Sequence, residues 1–149
     1  MSHVRTQIRE RFKAVLTATL DPAKYRVFAS RKFAINSDRG VATVDMTFQN
    51  VNVEQQTMGD KRLHTASLYI RVQRGQAETS MDDSLDADEV AITQIIEAQD
   101  WSDLLEEDPE LMQVNFTSDT EGSTAIGAII LRYDLEYRID KTNPQIVVR

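Results

Sequence analysis

Ile129-Ile130-Leu131-Arg132-Tyr133-Asp134-Leu135-Glu136-Tyr137-Arg138-Ile139 alternates without a break. Ile129, Leu131, Tyr133, Leu135, Tyr137 and Ile139 fall on one side of an extended chain. Ile130, Arg132, Asp134, Glu136 and Arg138 fall on the other. Successive side chains of a strand point to opposite faces, so this is the pattern of a strand with one apolar and one polar face. The same period runs through Leu63–Arg74, where Ala66, Leu68, Ile70 and Val72 oppose Ser67, Tyr69, Arg71 and Gln73. It recurs over Val41–Phe48, with Ala42, Val44, Met46 and Phe48 on the apolar side, and over Met112, Val114 and Phe116. Tyr25-Arg26-Val27-Phe28 opens a fifth extended segment, expected to reach Ile35.

Two segments carry the helical period instead. Val4, Ile8, Phe12, Val15, Leu16 and Leu20 recur at helical spacing, with Ser2 as the expected N-cap and Pro22 barring continuation. Asp86 to Gln99 reads as a second helix, with Asp86 and Glu89 spaced as a capping box after a polar linker from Gly75 to Ser84. A short turn, Ser102 to Glu107, follows Trp101 and ends at Asp108-Pro109. The order is helix, three strands, helix, two strands. It predicts an α+β fold: a single antiparallel or mixed sheet of about five strands with two helices packed on one face. Residues 1–149 are read as a single domain with an extended C-terminal tail from about 141.

Gln49 to Arg62, between strands 2 and 3, reads as a long hairpin whose tip passes the sheet. Long loops in compact domains often carry function. Val51, Val53 and Met58 lie in this excursion, and Ile146, Val147 and Val148 lie in the tail. Apolar, largely β-branched side chains in such places gain nothing in water. Pairing of their backbone with a partner's strand edge would bury them, so these six are the candidate interface to another subunit or partner.

The 149 residues carry a net charge of -7, unevenly placed. No lysine or arginine occurs between Arg74 and Arg132, and that window holds 15 of the 24 acids. This balance does not suit a uniformly basic nucleic-acid binder. It suits either a solvated acidic helix or a bipolar subunit that orients against its neighbours. With no cysteine, disulfides and thiolate chemistry are excluded. The two histidines, His3 and His64, sit in no metal-spaced motif, and no phosphate-binding glycine loop or nucleophile elbow occurs. Asp82-Asp83 and Asp86-Ala87-Asp88-Glu89 lack the spacing and glycine of a calcium loop. The tyrosines at strand positions 25, 133 and 137 read as packing. Tyr69, with Arg71 and Arg74, makes only a thin aromatic and basic patch. No apolar run approaches the ~20 residues that span a bilayer. Hence no enzyme, cofactor or membrane role is expected.

The layout over roughly residues 4 to 139 resembles the tail terminator proteins of long-tailed bacteriophages, of the minor tail protein U type. The resemblance rests on the amphipathic first helix and on Thr65-Ala66-Ser67-Leu68-Tyr69-Ile70-Arg71-Val72 running through a linker into an acidic helix. That helix ends at Gln99-Asp100-Trp101-Ser102-Asp103-Leu104, and an Asp/Gly turn leads to Ala128–Tyr137. The longer Gln49–Arg62 excursion and the tail past Ile139 depart from the family's layout. The resemblance implies a non-enzymatic virion protein assembled in the host cytoplasm. It would form a six-fold ring that caps the tail tube, ends its polymerisation and joins the head connector, with DNA passing only through the lumen. Another head–tail joining or tube subunit, or a non-viral binding module on an α+β scaffold, stands as the alternative.

Overall fold

A computed structural model describes residues 3–30, 41–55, 61–76, 81–121, 124–140 and 143. Helix α1 (Val4–Thr19) is followed by strands β1 (Tyr25–Val27), β2 (Ala42–Gln55) and β3 (Lys61–Gln76). Helix α2 (Met81–Glu97) precedes β4 (Glu110–Glu121) and β5 (Thr124–Asp140). The strands form one mixed sheet in the order β1-β2-β3-β5-β4, with only β1 parallel to its neighbour. This is the α+β architecture expected from the alternation and helical stripes, with β2 and β3 joined as a long hairpin.

The alternating stretch decides where the core lies. Ile129, Leu131, Tyr133, Leu135, Tyr137 and Ile139 are all buried, as are Ala66, Leu68, Ile70 and Val72 on β3 and Ala42, Val44 and Met46 on β2. Register aligns them in rows, such as Met46–Ile70–Leu131–Val114. Val4, Ile8, Phe12 and Leu16 of α1 and Leu85, Ile92 and Ile96 of α2 close over these rows. The helix–sheet joint is aromatic. Phe12 stacks on Trp101 with ring centroids 4.3 Å apart and leans on Tyr133 at 6.4 Å. Trp101, just past α2, donates its indole N–H to the Ile96 carbonyl at 2.9 Å, so this buried ring keeps its one polar group paired.

Several boundaries differ from the sequence reading, each for a packing reason. Helix α2 starts at Met81, and Asp86 lies inside it as an exposed residue. Met81 and Leu85, four residues apart, extend the buried stripe past the expected cap. The Met81 side chain occupies the space over Gly127 of β5, where an added Cβ would come within 2.5 Å of its sulfur. Asp82 and Asp83 supply the first-turn acids that favour the helix dipole. β3 runs on to Gln76, into the expected linker. His3 caps α1 in place of Ser2: its Nδ1 accepts from the Arg5 N–H at 3.1 Å. β1 is three residues long, and the expected extension to Ile35 lies partly outside the described residues.

A buried ion pair ties α2 to the sheet. Arg74 on β3 donates to Asp88 through Nε at 2.5 Å and Nη2 at 2.7 Å, and the Tyr25 hydroxyl of β1 donates to the same carboxylate. Asp88 is fully buried. Burial and the bond to Asp88 push the Tyr25 hydroxyl up to about 12.

Replacing Leu135 by Ala should cost about 2–5 kcal/mol in urea unfolding, through lost transfer energy plus a cavity. Removing Asp88 alone (Asp88→Ala) should cost about 3–5 kcal/mol, because Arg74 is then left buried without its partner. The double change Asp88→Leu with Arg74→Met should recover most of that loss. Additive losses in the double variant would show that the pair is not a unit.

Candidate functional site

The strand order leaves two unlike edges. β4 pairs only with β5, so its outer side has no strand neighbour among the described residues. β1 covers β2 only at Ala42–Val44, which leaves β2 from Thr47 to Gln55 without a strand on that side among the described residues. Apolar side chains are exposed along both: Met112 (51%) and Phe116 (52%) on β4, and Val53 (48%) on β2. An apolar, unpaired edge is a template for another strand, and a chain that stays dispersed normally blunts it.

Two bulges set which way these residues point. Between Gln49 and Asn52 the register of β2 slips against β3, so Asn50 and Val51 together oppose Ala66. Asn50 holds φ 55°, a left-handed conformation that asparagine tolerates better than most side chains. Strict alternation from Ala42 would put Val51 and Val53 on the sheet's open face. The bulge returns them to the helix face, where Val51 packs partly against the core and Val53 pairs with His64. The second bulge lies between Leu111 and Gln113. Leu111, not Met112, faces Tyr133, and Val114 and Phe116 keep the core-side positions opposite Leu131 and Ile129. The expected Met112–Val114–Phe116 face is therefore corrected to Leu111–Val114–Phe116, with Met112 turned out. Of the six candidate interface residues, Val51 and Val53 lie on the free β2 edge. Met58, Ile146, Val147 and Val148 lie outside the described residues. Nothing in the alternation of Met112, Val114 and Phe116 marks β4 as the outer strand.

Charge is grouped by element rather than by side of the sheet, since Asp88 of the acidic α2 reaches both Arg74 on β3 and Tyr25 on β1. The acidic window builds α2 and β4. Asp82, Asp83, Asp86, Glu97, Glu107, Asp108 and Glu110 are exposed, and Glu97 and Glu89, after burial itself, hold the Tyr133 hydroxyl up. On the β1/β2 side stand Lys24, Arg26 and Arg9, the last with its guanidinium 5.9 Å from the Phe48 ring centre.

The sheet's open face carries a polar concavity of about 380 Å³, lined by Asn50, Glu107, Glu110, Arg132, Asp134 and Glu136 among others. Ser67 donates to Asp134 at 3.0 Å, and Arg132 approaches the same carboxylate at 3.1 Å. Beside it, Arg71 and Asp45 pair across β3 and β2 through two bonds, with Asp45 nearly fully buried. Neither histidine lies on this face. Among the described residues no three His, Asp or Glu side chains converge as metal ligands, and Asp88 of the acidic helix is spent on Arg74. Among them, too, no helix is long and apolar enough to cross a membrane. Tyr69 lines a small dent with Asp45, Thr47, Arg71 and Ile130.

No family model matches this chain, and no curated protein matches it.

The bulge yields a direct test. Asn50→Val puts a β-branched side chain in the left-handed region and should cost about 1–3 kcal/mol, while Asn50→Gly should be nearly neutral. Equal costs in thermal unfolding would mean that Asn50 matters for its side chain and not for its backbone angle.

Proposed function

We propose that this chain is a structural virion subunit of the tail-terminator type. It forms a ring on the end of the phage tail tube, stops tube polymerisation and presents its other side to the head connector protein. DNA crosses only the lumen. The role is non-enzymatic and uses no cofactor, and the protein resides in the virion tail after assembly in the host cytoplasm.

The observation that carries this reading is the pair of unlike free edges on one sheet. A ring is built from head-to-tail contacts, in which one surface of each copy meets a different surface of the next. β4 offers Met112 and Phe116, with the exposed acid Glu110 at its start. The far half of β2 offers Val53 on the side of the basic helix and β1. Opposite fields favour the alternating contact over the like-with-like one. The resemblance in layout supplies the expected six copies, the tail tube protein and the connector. Another tube or neck subunit would use the same edges. A non-viral binding module draws instead on the polar concavity.

Light scattering after size exclusion, with electron microscopy of the same fractions, tests the reading. A closed ring is expected at low salt and at high protein concentration. It should weaken toward molar salt, because exposed charges are screened beyond a Debye length of ~3 Å at 1 M. Phe116→Asp should abolish the ring and change monomer stability by no more than about 0.5 kcal/mol, as for other surface substitutions. A monomer under all conditions, without and with tail tubes, would count against the proposal.

A further inference from the structure

Three buried polar groups at one end of the sheet have no partner among the described residues: Nε of Arg62, both ring nitrogens of His64, and the hydroxyl of Tyr137. Native interiors pair such groups almost without exception, so adjacent orphans ask for a cause. These three are neighbours by register. Arg62 and His64 are two apart on β3 and share its helix-facing side, and His64 lies directly opposite Tyr137 on β5. The two rings are 5.2 Å apart. His64 is 5% exposed and Tyr137 0%.

The charges around them have one sign. The groups acting on His64, after burial itself, are Arg5, His3 and Arg62, every one a cation or a potential cation. Arg5 also reaches toward the Tyr137 hydroxyl and partly offsets the upward push of burial there. Arg9 acts on His3 from the next turn. The N-terminus of α1 adds its unpaired N–H groups, and its first turn carries no acid. The nearest strand acids, Glu54 and Glu136, pair with Leu63 and Thr65, and so point to the other face of the sheet. Donors are thus gathered here with no facing acid on these strands. Tyr137 and Arg62 can donate, and His64 can donate through one nitrogen when neutral and two when charged. His3, Arg5 and Arg62 are only partly buried, which leaves a way in from solvent.

We infer that this cluster binds an oxyanion, a phosphoryl group or a carboxylate, held by Arg5 and Arg62 in front and by Tyr137 and His64 behind. Charge-assisted bonds from two guanidinium groups fit that ligand class better than water, which would leave the cations facing one another. This goes beyond the assembly reading and does not depend on it.

His64 is the reporter. Its pKa is held below the ordinary value by burial and then by Arg5, His3 and Arg62. A lowered folded value means that the unfolded chain binds the proton more tightly. The corresponding stability is therefore full above the ordinary histidine pKa and is lost as pH falls through the folded one. A bound anion favours the imidazolium and should raise His64 back toward its ordinary range.

The experiment follows the His64 ring resonances against pH, with inorganic phosphate, with acetate, and with sodium chloride at matched ionic strength. A saturable rise in the His64 pKa with phosphate or acetate, and a matching rise in melting temperature, is expected. The tighter of the two names the source as phosphoryl or carboxylate. Arg5→Gln and Arg62→Gln, both at partly exposed positions, should stay folded by circular dichroism and each weaken binding roughly tenfold or more. Three results would each overturn the inference: no movement of His64, an equal movement with chloride, or unchanged affinity in the double variant.

Discussion

The rest of the fold hangs on the pleat of β5. This strand pairs with β3 along its whole length on one side and with β4 on the other, so its alternation is imposed on both neighbours. A one-residue slip would turn Tyr133, Leu135 and Tyr137 into water and bring Arg132, Asp134 and Glu136 inside, which no packing gain could offset. Both helices are placed against the same face. Phe12 brings α1 onto Tyr133, and Trp101 wedges against Phe12 while its N–H holds the last turn of α2. Gly127, at the start of the alternating run, leaves space that Met81 fills, which fixes the other end of α2. Helix positions are thus read off the apolar face of one strand.

The acidic window and the basic framework are joined internally at a few points. Arg74, the last cation before the window, takes Asp88 from inside it; Arg11 takes Asp103, and Arg138 lies 3.6 Å from Glu106. The Arg11–Asp103 bond holds the Asp103 carboxyl below its usual range, but both side chains are exposed enough for the pair to add little stability. The Arg74–Asp88 pair is different, because it is dry and also receives Tyr25. The exposed acids of α2 and of the start of β4 stay in water, where they add little to stability.

Fold class, sheet faces and the stripe of α1 were legible because they follow from period alone. Position within the sheet was not. β4 alternates like an interior strand, yet among the described residues it pairs with β5 alone, which exposes Phe116, while the bulge before Gln113 turns Met112 out. Both bulges were silent as well. Asn50 gives no stronger signal than any asparagine in a polar stretch, yet its left-handed backbone re-aims Val51 and Val53, so the two candidate residues share the helix face with His64. The early start of α2 needed the pairing of Met81 with a glycine 46 positions away in sequence, a contact that no local rule contains. His64 belongs to no metal-spaced motif in the sequence. Its interest comes from Tyr137, Arg62 and Arg5, which only the register brings near.

The two ends of the sheet's helix face resolve their buried polar groups in opposite ways. At the β1 end, Tyr25, Arg74 and Asp88 form a set in which the carboxylate accepts from both donors, and such a satisfied set stiffens the joint between helix and sheet. At the hairpin end, Arg62, His64 and Tyr137 have buried polar atoms with no partner among the described residues, and an exposed Val53 lies beside them on the same face. Folding alone gains nothing from desolvating those groups, and replacing His64 or Arg62 by apolar residues would remove the cost. The bulge at Asn50 adds to it by delivering Val53 to this end. One end of the molecule is thus finished by its own side chains. The other leaves buried polar groups and the exposed Val53 without a partner among the described residues.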